Sequence, residues 1–165
     1  MDGLVYPDRT VHTGLLEYKN VYRPARVISY DKESGELVLH NYMDFDDLKD
    51  YVKISYELTQ DGLVISKGKL PEVSAAPHSE GKINLKINVP ESGKCYLKFI
   101  YHLKKKLPLL DENYILGFDE IEVSKDDAKC KLAEKWLQDP SVGEIRRSAN
   151  EAAYAADARQ FKTGI

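Results

Sequence analysis

No apolar run in this 165-residue sequence approaches the length of a membrane-spanning helix, which argues against a helical membrane class. An excess of charge of one sign is also lacking. The 24 Lys and Arg are nearly balanced by 27 Asp and Glu dispersed along the chain, for a net charge of −3, so there is no electrostatic footprint for a nucleic acid or an anionic bilayer. The one basic run, Lys104 to Lys106, follows an apolar stretch and reads as the guard of a strand end rather than a phosphate site. Cysteine is scarce: Cys95 and Cys130 stand far apart, with neither metal-ligand spacing nor a CxxC pair. They read as reduced thiols, with a single disulfide in a secreted sandwich as the sharper alternative. The start, "MDGLVYPDRT", has no charged n-region and no apolar h-region, so a chain beginning at Met1 carries no signal peptide and is expected in the cytoplasm.

Catalytic signatures are equally sparse. No phosphate-cradling glycine loop, nucleotide fingerprint or zinc pattern occurs. Acidic pairs stand at Asp46/Asp47, Asp111/Glu112 and Asp119/Glu120, with Glu122 on the same strand face as Glu120. A retaining glycosidase needs two carboxyl groups about 5 Å apart, but adjacent acids more often keep a surface solvated. Asp44, Asp46 and Asp47 lack the glycine and terminal glutamate of a calcium loop, so a solvated turn is expected. His40 and His102 fall on strands and His78 in a polar loop, and none has a Ser or Cys placed with an acid so as to suggest a triad, although sequence spacing does not exclude one that forms in space. His12, with Asp8 and Arg9, reads as part of a hydrogen-bonded loop that pins the domain to a neighbour. The expected catalytic, cofactor and metal residues are therefore none.

What the chain does have is hydrophobic content of 42% against 31% charged, ordinary globular usage, and a clear period of two from Val21 to Val123. In "VKISYEL", Val52, Ile54, Tyr56 and Leu58 alternate with polar residues. "GKINLKINV" places Ile83, Leu85, Ile87 and Val89 on one face, and "CYLKFIYHL" places Cys95, Leu97, Phe99, Tyr101 and Leu103 inward, with Tyr96, Ile100 and His102 on an outer face that is itself expected to be partly covered. Further strands are expected at Ala25 to Asp31, Glu36 to Tyr42, Leu63 to Leu70 and Tyr114 to Val123. Ser34-Gly35 and Asp61-Gly62 supply hairpin turns, while Pro77, Pro90 and Pro108 fall between strands. About seven short antiparallel strands at this spacing predict an all-β fold, an immunoglobulin-like sandwich, although alternation alone does not separate sandwich from small barrel.

The flanks differ. "GLVYPDRTVHTGLLEYK", Gly3 to Lys19, shows neither period and reads as an irregular connection over 1-20, before a sandwich over 21-124. From Ser124, Ala128, Leu132, Ala133, Trp136 and Leu137 recur at helical spacing up to Asp139-Pro140, and Glu144 to Arg159 is Ala-rich; 125-165 is expected to be a partly helical tail. Of the 11 tyrosines, Tyr18, Tyr22, Tyr30, Tyr42 and Tyr114 are candidates for one edge, where rings stacking on sugars would make a carbohydrate-binding surface; tyrosines also commonly fill a sandwich rim.

The opening stretch carries a resemblance. Gly3, Leu4, Val5, Asp8, Arg9, His12, Leu15, Glu17, Lys19, Val21, Tyr22 and Pro24 match the pattern G-L-V-x-x-D-R-x-P-H-P-x-L-x-E-x-K and the V-Y-x-P-like stretch after it. In β-galactosidases of glycoside hydrolase family 2, this segment leaves the catalytic barrel and enters the domain that follows. Val11 and Thr13 depart from the prolines that usually flank the histidine. Asn41, Phe45 and Leu48 are similar to the family's Asn and Phe-x-x-Leu element, and Gly62, Gly68 and Leu70 to its hairpin with a later Gly-x-Leu. "FKTGI", Phe161 to Ile165, looks a little like the start of the next β-domain.

The resemblance implies an immunoglobulin-like accessory domain whose partners are the remaining parts of a parent glycosidase, the catalytic barrel and the following β-domain. The acid/base and nucleophilic glutamates would belong to the barrel, and no position here matches either. The parent would hydrolyse terminal β-galactosides with retention. Asp2 falls near a position that in relatives bounds an ion site, but no metal is assigned to this chain. The alternatives are a free-standing carbohydrate-binding or adhesion module, and an interaction domain that self-associates through an exposed edge strand.

Overall fold

The computed structural model describes residues 3–125 and, beyond them, only Lys135 and Gln138, whose backbone is helical. The expected C-terminal helices otherwise lie outside the described residues, as do Cys130 and Asp2. Among the described residues seven strands form: β1 (Ala25–Tyr30), β2 (Glu36–Asn41), β3 (Val52–Gln60), β4 (Leu63–Lys69), β5 (Glu80–Asn84), β6 (Cys95–Leu103) and β7 (Ile115–Ser124). All pair antiparallel, in a three-stranded sheet of order β1-β2-β5 and a four-stranded sheet of order β4-β3-β6-β7. The expected all-β sandwich is the observed architecture.

Alternation decides which side chains meet between the sheets. Along β6 the burial switches at every residue, with Cys95, Leu97, Phe99, Tyr101 and Leu103 inside and the intervening residues, Tyr96, Ile100 and His102 among them, half-buried. Leu37 and Leu39 of β2 face them from the other sheet, joined by Ile54 and Leu58 of β3. A fully buried ring such as Phe99 contributes about 1.5–3 kcal/mol by removal from water alone. In β1 the register slips between Val27 and Ser29. This bulge shifts the inward phase, so Val27 before it and Tyr30 after it both pack on the core. The expected strand over Gly81 to Val89 is shorter than its pattern: pairing stops at Asn84, although Leu85, Ile87 and Val89 stay turned toward the core. Burial there follows the apolar period while the backbone has left the ladder.

Turns match their chemistry. Asp61 and Gly62 both have positive φ (49° and 85°), the pair of left-handed residues that a two-residue hairpin with native twist demands. At Gly68 the constraint is space instead: a Cβ would stand 2.6 Å from the ring of Tyr56, its cross-strand partner.

Two helices were not visible in the alternation. α1 (Thr13–Val21) lies within the opening run that the sequence reading leaves irregular. Before it, Leu4 to His12 forms a small hairpin, with a Val5–Val11 bridge and Arg9 N–H donating to the Tyr6 carbonyl across Pro7-Asp8. His12 is the N-cap of α1. The helix has no buried residue, so no apolar stripe marks it in sequence. It is fixed by polar contacts to β7. Asn20 Oδ1 accepts from Phe118 N–H at 2.8 Å, and Gly117 makes room, since a Cβ there would meet Arg23 Cβ at 2.7 Å. The segment thus covers a strand edge that would otherwise be open. α2 (Leu48–Tyr51) is a single turn capped by Asp47 and anchored by buried Leu48. Among the described residues no helix is long and apolar enough to cross a membrane.

One carboxylate closes this side of the sandwich. Asp119 of β7 accepts the Tyr101 hydroxyl of β6 at 2.6 Å, the Val27 N–H of β1 at 2.9 Å and the guanidinium of Arg23. The Asp119 and Arg23 side chains are 12% and 14% exposed, and burial together with the Asp119 charge drives the Tyr101 phenol far above its ordinary value. Substituting Asp119→Ala is expected to cost about 3–5 kcal/mol, because it strands a cation, a hydroxyl and an N–H together. Tyr101→Phe is expected to cost only about 1 kcal/mol. Urea denaturation of both variants checks the ordering; similar midpoints for the two would contradict it.

Asp47 yields a second expectation. Partial burial opposes its charged form, but hydrogen bonds from Lys49 N–H, the Ser74 hydroxyl and Ala75 N–H outweigh it and hold the carboxyl below its ordinary value. Its contribution is therefore complete above about pH 4, the unfolded value, and is lost as pH falls through the lower folded value. Asp47→Ala should be about 1–2 kcal/mol less stable at pH 7. The gap between the two proteins should close in acid, read from denaturation midpoints at pH 7 and below pH 3.

Candidate functional site

Most of the acidic residues singled out in the sequence have structural partners. Asp111 pairs with Lys106 at 3.0 Å and Glu112 with Lys53. Asp119 is not the solvated surface acid that its place beside Glu120 suggests. It lies on the inward face of β7 with Gly117 and Ile121, whereas Glu120 and Glu122 point outward. Glu122 accepts from Lys94 and Tyr96, and Glu120 stands opposite Lys98. In the acidic turn, Asp44 meets His78 Nε2 at 2.8 Å, Asp46 offers its backbone carbonyl to Asn41, and Asp47 caps α2. Among the described residues no three His, Cys, Asp or Glu side chains gather as a metal would require. Cys95 is a buried free thiol that burial and the nearby Asp61 charge push up, the opposite of a reactive cysteine.

The basic run behaves as a strand-end tie. Lys104 Nζ donates to the Lys49 carbonyl at 2.7 Å and to Glu72, binding the end of β6 to α2. Near it, a cleft of about 420 Å³ holds a pair that sequence spacing did not reveal: Ser55 Oγ and His102 Nε2 lie 2.9 Å apart on neighbouring strands. The residues are diagonal, since Lys53 rather than Ser55 is the register partner of His102; only the pairing of β3 with β6 brings them together. The other imidazole nitrogen lies 3.4 Å from the Asn113 carbonyl oxygen, a long contact to a neutral group. A triad needs a carboxylate at that place to stabilise the imidazolium, so the pair reads as a cross-strand hydrogen bond.

The tyrosines do converge. Tyr18, Tyr22, Tyr42 and Tyr114 line one open concavity of about 770 Å³ between α1 and the turn after β2. Tyr30 does not join them, because its ring packs on the core and its hydroxyl donates to the Leu85 carbonyl. Lys19 stands 4.1 Å from the Tyr114 ring centre, Arg26 5.1 Å from that of Tyr42, and Tyr18 and Tyr22 pair at 4.6 Å. The ring of His40, on β2, lies 4.5 Å from that of Tyr42, tilted by 60°. His12, Asp8 and Arg9 serve the opening hairpin: Asp8 accepts from the Thr10 N–H and hydroxyl, and the His12 ring lies 4.9 Å from that of Tyr6.

The turn bordering the concavity is rigid. Asn41, fully buried, donates through Nδ2 to the Asp46 and Ala75 carbonyls, both at 2.9 Å, and accepts from Met43 N–H. These bonds explain the resemblance at Asn41, Phe45 and Leu48: Asn41 shapes the loop, Leu48 seats it in the core, and Phe45 is left 92% exposed at its tip. Sequence reasoning marked this element but had no means of telling its inward apolar residue from its outward one.

If Ser55 is merely structural, the chain should hydrolyse an activated ester such as p-nitrophenyl acetate no faster after Ser55 is present than after it is removed. Ser55→Ala and His102→Ala should match the parent chain at pH 8; a rate or an acylation burst lost in Ser55→Ala would contradict this.

Comparison with known proteins agrees with the geometry. Residues 37–124, from β2 through β7, match the family described as domain 4 of β-galactosidase. A β-galactosidase of Actinobacillus pleuropneumoniae is 43% identical over 129 residues, 77% of this chain, and one of Staphylococcus xylosus is 32% identical over 125 residues, 73% of this chain. In both cases the chain spans 12% of the relative's length. The two-sheet sandwich with this sequence belongs to the β-galactosidase domain 4 family.

Proposed function

We propose that the chain is a non-catalytic accessory domain within a β-galactosidase that hydrolyses terminal β-D-galactosides with retention of configuration. The observation that carries the proposal is the match of the sandwich itself, residues 37–124, to domain 4, in a chain that accounts for 12% of relatives named as β-galactosidases. The chemistry of the chain supports it. Retaining hydrolysis calls for an acid/base and a nucleophilic carboxyl about 5 Å apart across the scissile bond. Here Asp47, Asp119 and Glu112 are engaged in a cap, a sheet-to-sheet lock and an ion pair. The reactive carboxylates are assigned to other parts of the parent, and residues 1–20 to the connection from them. A reduced, buried Cys95 suits a cytoplasmic parent.

A second reading, a free-standing carbohydrate-binding module, draws on the five tyrosines around one concavity, Tyr51 joining the four expected there. Two experiments separate the readings. The full-length parent should cleave a chromogenic β-galactoside, with the β-anomer as first product by NMR, while the isolated chain should show no turnover. Calorimetry of the isolated chain with galactosides should show no binding heat. Turnover by the chain alone, or inversion by the parent, would refute the proposal, and a saturable heat would favour the module.

A further inference from the structure

β4 ends before its partner does. Its last paired residue is Lys69, opposite Ser55, after which Leu70 N–H still reaches the Ile54 carbonyl at 2.9 Å. Pro71 has no N–H to continue the ladder, and the chain turns there toward Val73 in the core. β3 runs on to Val52, and the edge left uncovered forms the cleft of about 420 Å³ that holds Ser55 and His102. Val52, Ile54, Leu70 and Val73 give it apolar walls. Dry walls with a few convergent polar groups are the usual make-up of a site for a small molecule.

The polar groups are mainly cationic. Register places Lys69 opposite Ser55 and Lys53 opposite His102 on one face of the sheet. The two lysines thus flank the hydroxyl–imidazole pair as diagonal neighbours, with backbones about 7–8 Å apart. Lys53 meets Glu112, but both side chains are about half exposed, and such a pair contributes little. Lys104 is matched by Glu72. Lys67 takes Glu57, and the exposed Lys69 is left without an ion pair among the described residues.

We propose that this cleft binds a small organic carboxylate with an apolar body, its carboxylate held between Lys53 and Lys69 over the Ser55–His102 pair and its body against Ile54 and Leu70. The sign of the ligand follows from the charges. An anion between two ammonium groups relieves their mutual repulsion, a neutral group does not, and a cation adds to it. The size follows from the volume, which is at the low end for small-molecule sites. No bond is made or broken in the ligand: with only the Asn113 carbonyl behind the imidazole, the pair supplies hydrogen bonds and no activated nucleophile. The inference does not rest on the accessory-domain reading, because it needs only the ends of β3, β4 and β6 in this chain.

The test is an NMR titration of the 165-residue chain with probes of one shape and different charge: phenylbutyrate, phenylbutanol and phenylbutylamine. Phenylbutyrate should bind saturably and move the amide signals of Ser55, Lys69, Leu70 and His102. The alcohol should bind roughly tenfold more weakly and the amine more weakly still. Acetate, which has the charge without the body, should bind roughly a hundredfold more weakly than phenylbutyrate. Lys69→Met keeps the side-chain stem and should leave the urea midpoint unchanged, yet weaken phenylbutyrate roughly fivefold without affecting the alcohol. Equal affinities for the three probes, shifts centred on the tyrosine concavity, or an unchanged affinity in Lys69→Met would each overturn the proposal. So would shifts at these four amides that grow with protein concentration in the absence of probe, which would assign the cleft to a second copy. In the full-length parent, calorimetry should show the same roughly fivefold loss of phenylbutyrate affinity on Lys69→Met; equal affinity of the two parents would assign the cleft to a contact within the larger protein and overturn the proposal as well.

Discussion

A single carboxylate, that of Asp119, sets the geometry on which the rest of the structure depends. It accepts from the Tyr101 hydroxyl in its own sheet, from the Val27 N–H in the opposite sheet and from Arg23 just after α1. β1 and β7 are edge strands of their sheets, and edge strands bring unpaired backbone groups. Here those groups are met from the side: Val27 N–H by Asp119, Phe118 N–H by Asn20. Apolar burial supplies most of the driving force for bringing two sheets together, but it is non-directional. The shared carboxylate gives that packing one alignment and ties the leading segment to it.

The same logic explains residues whose chemistry looks misplaced for a core. Asn41 is fully buried and polar, yet its amide makes three hydrogen bonds, so its desolvation is compensated. It replaces a ladder partner for the loop that carries Asp46, and thereby sets the direction of Phe45. Gly117 and Gly68 are required for proximity, one under Arg23 and the other under the Tyr56 ring.

Much of this was legible in the sequence, and the boundary is physical. Strands with one dry face announce themselves by a period of two, so the strands other than β5 fall within two residues of their expected bounds, down to the inward set of β6, while β5 leaves the ladder five residues before its apolar period ends. Gly35 and Gly62, both at positive φ, were legible because so few residues tolerate that backbone. α1 was not legible, since a helix held by Asn20 and Arg23, with its apolar side chains outward, has no stripe to read. Asp119 and Glu120 are adjacent acids in sequence; which of them turns inward depends on the register of β7 against β6 and on the crossing of Arg23. Likewise Ser55 and His102 are 47 residues apart and meet only through strand pairing. The element at Asn41, Phe45 and Leu48 is distinctive because a buried amide with three hydrogen bonds and a leucine seated in the core restrict residue choice more than a solvated strand face does.

The central claim, that Asp119 fastens the two sheets and the leading segment into one rigid unit, is tested most directly by native-state hydrogen exchange at the Val27 amide, whose acceptor is a side chain from the other sheet rather than a ladder carbonyl. The account predicts that Val27 N–H exchanges as slowly as the amides of β6, through the same global opening. Exchange at the rate of an unprotected loop amide, with β6 still protected, would contradict it.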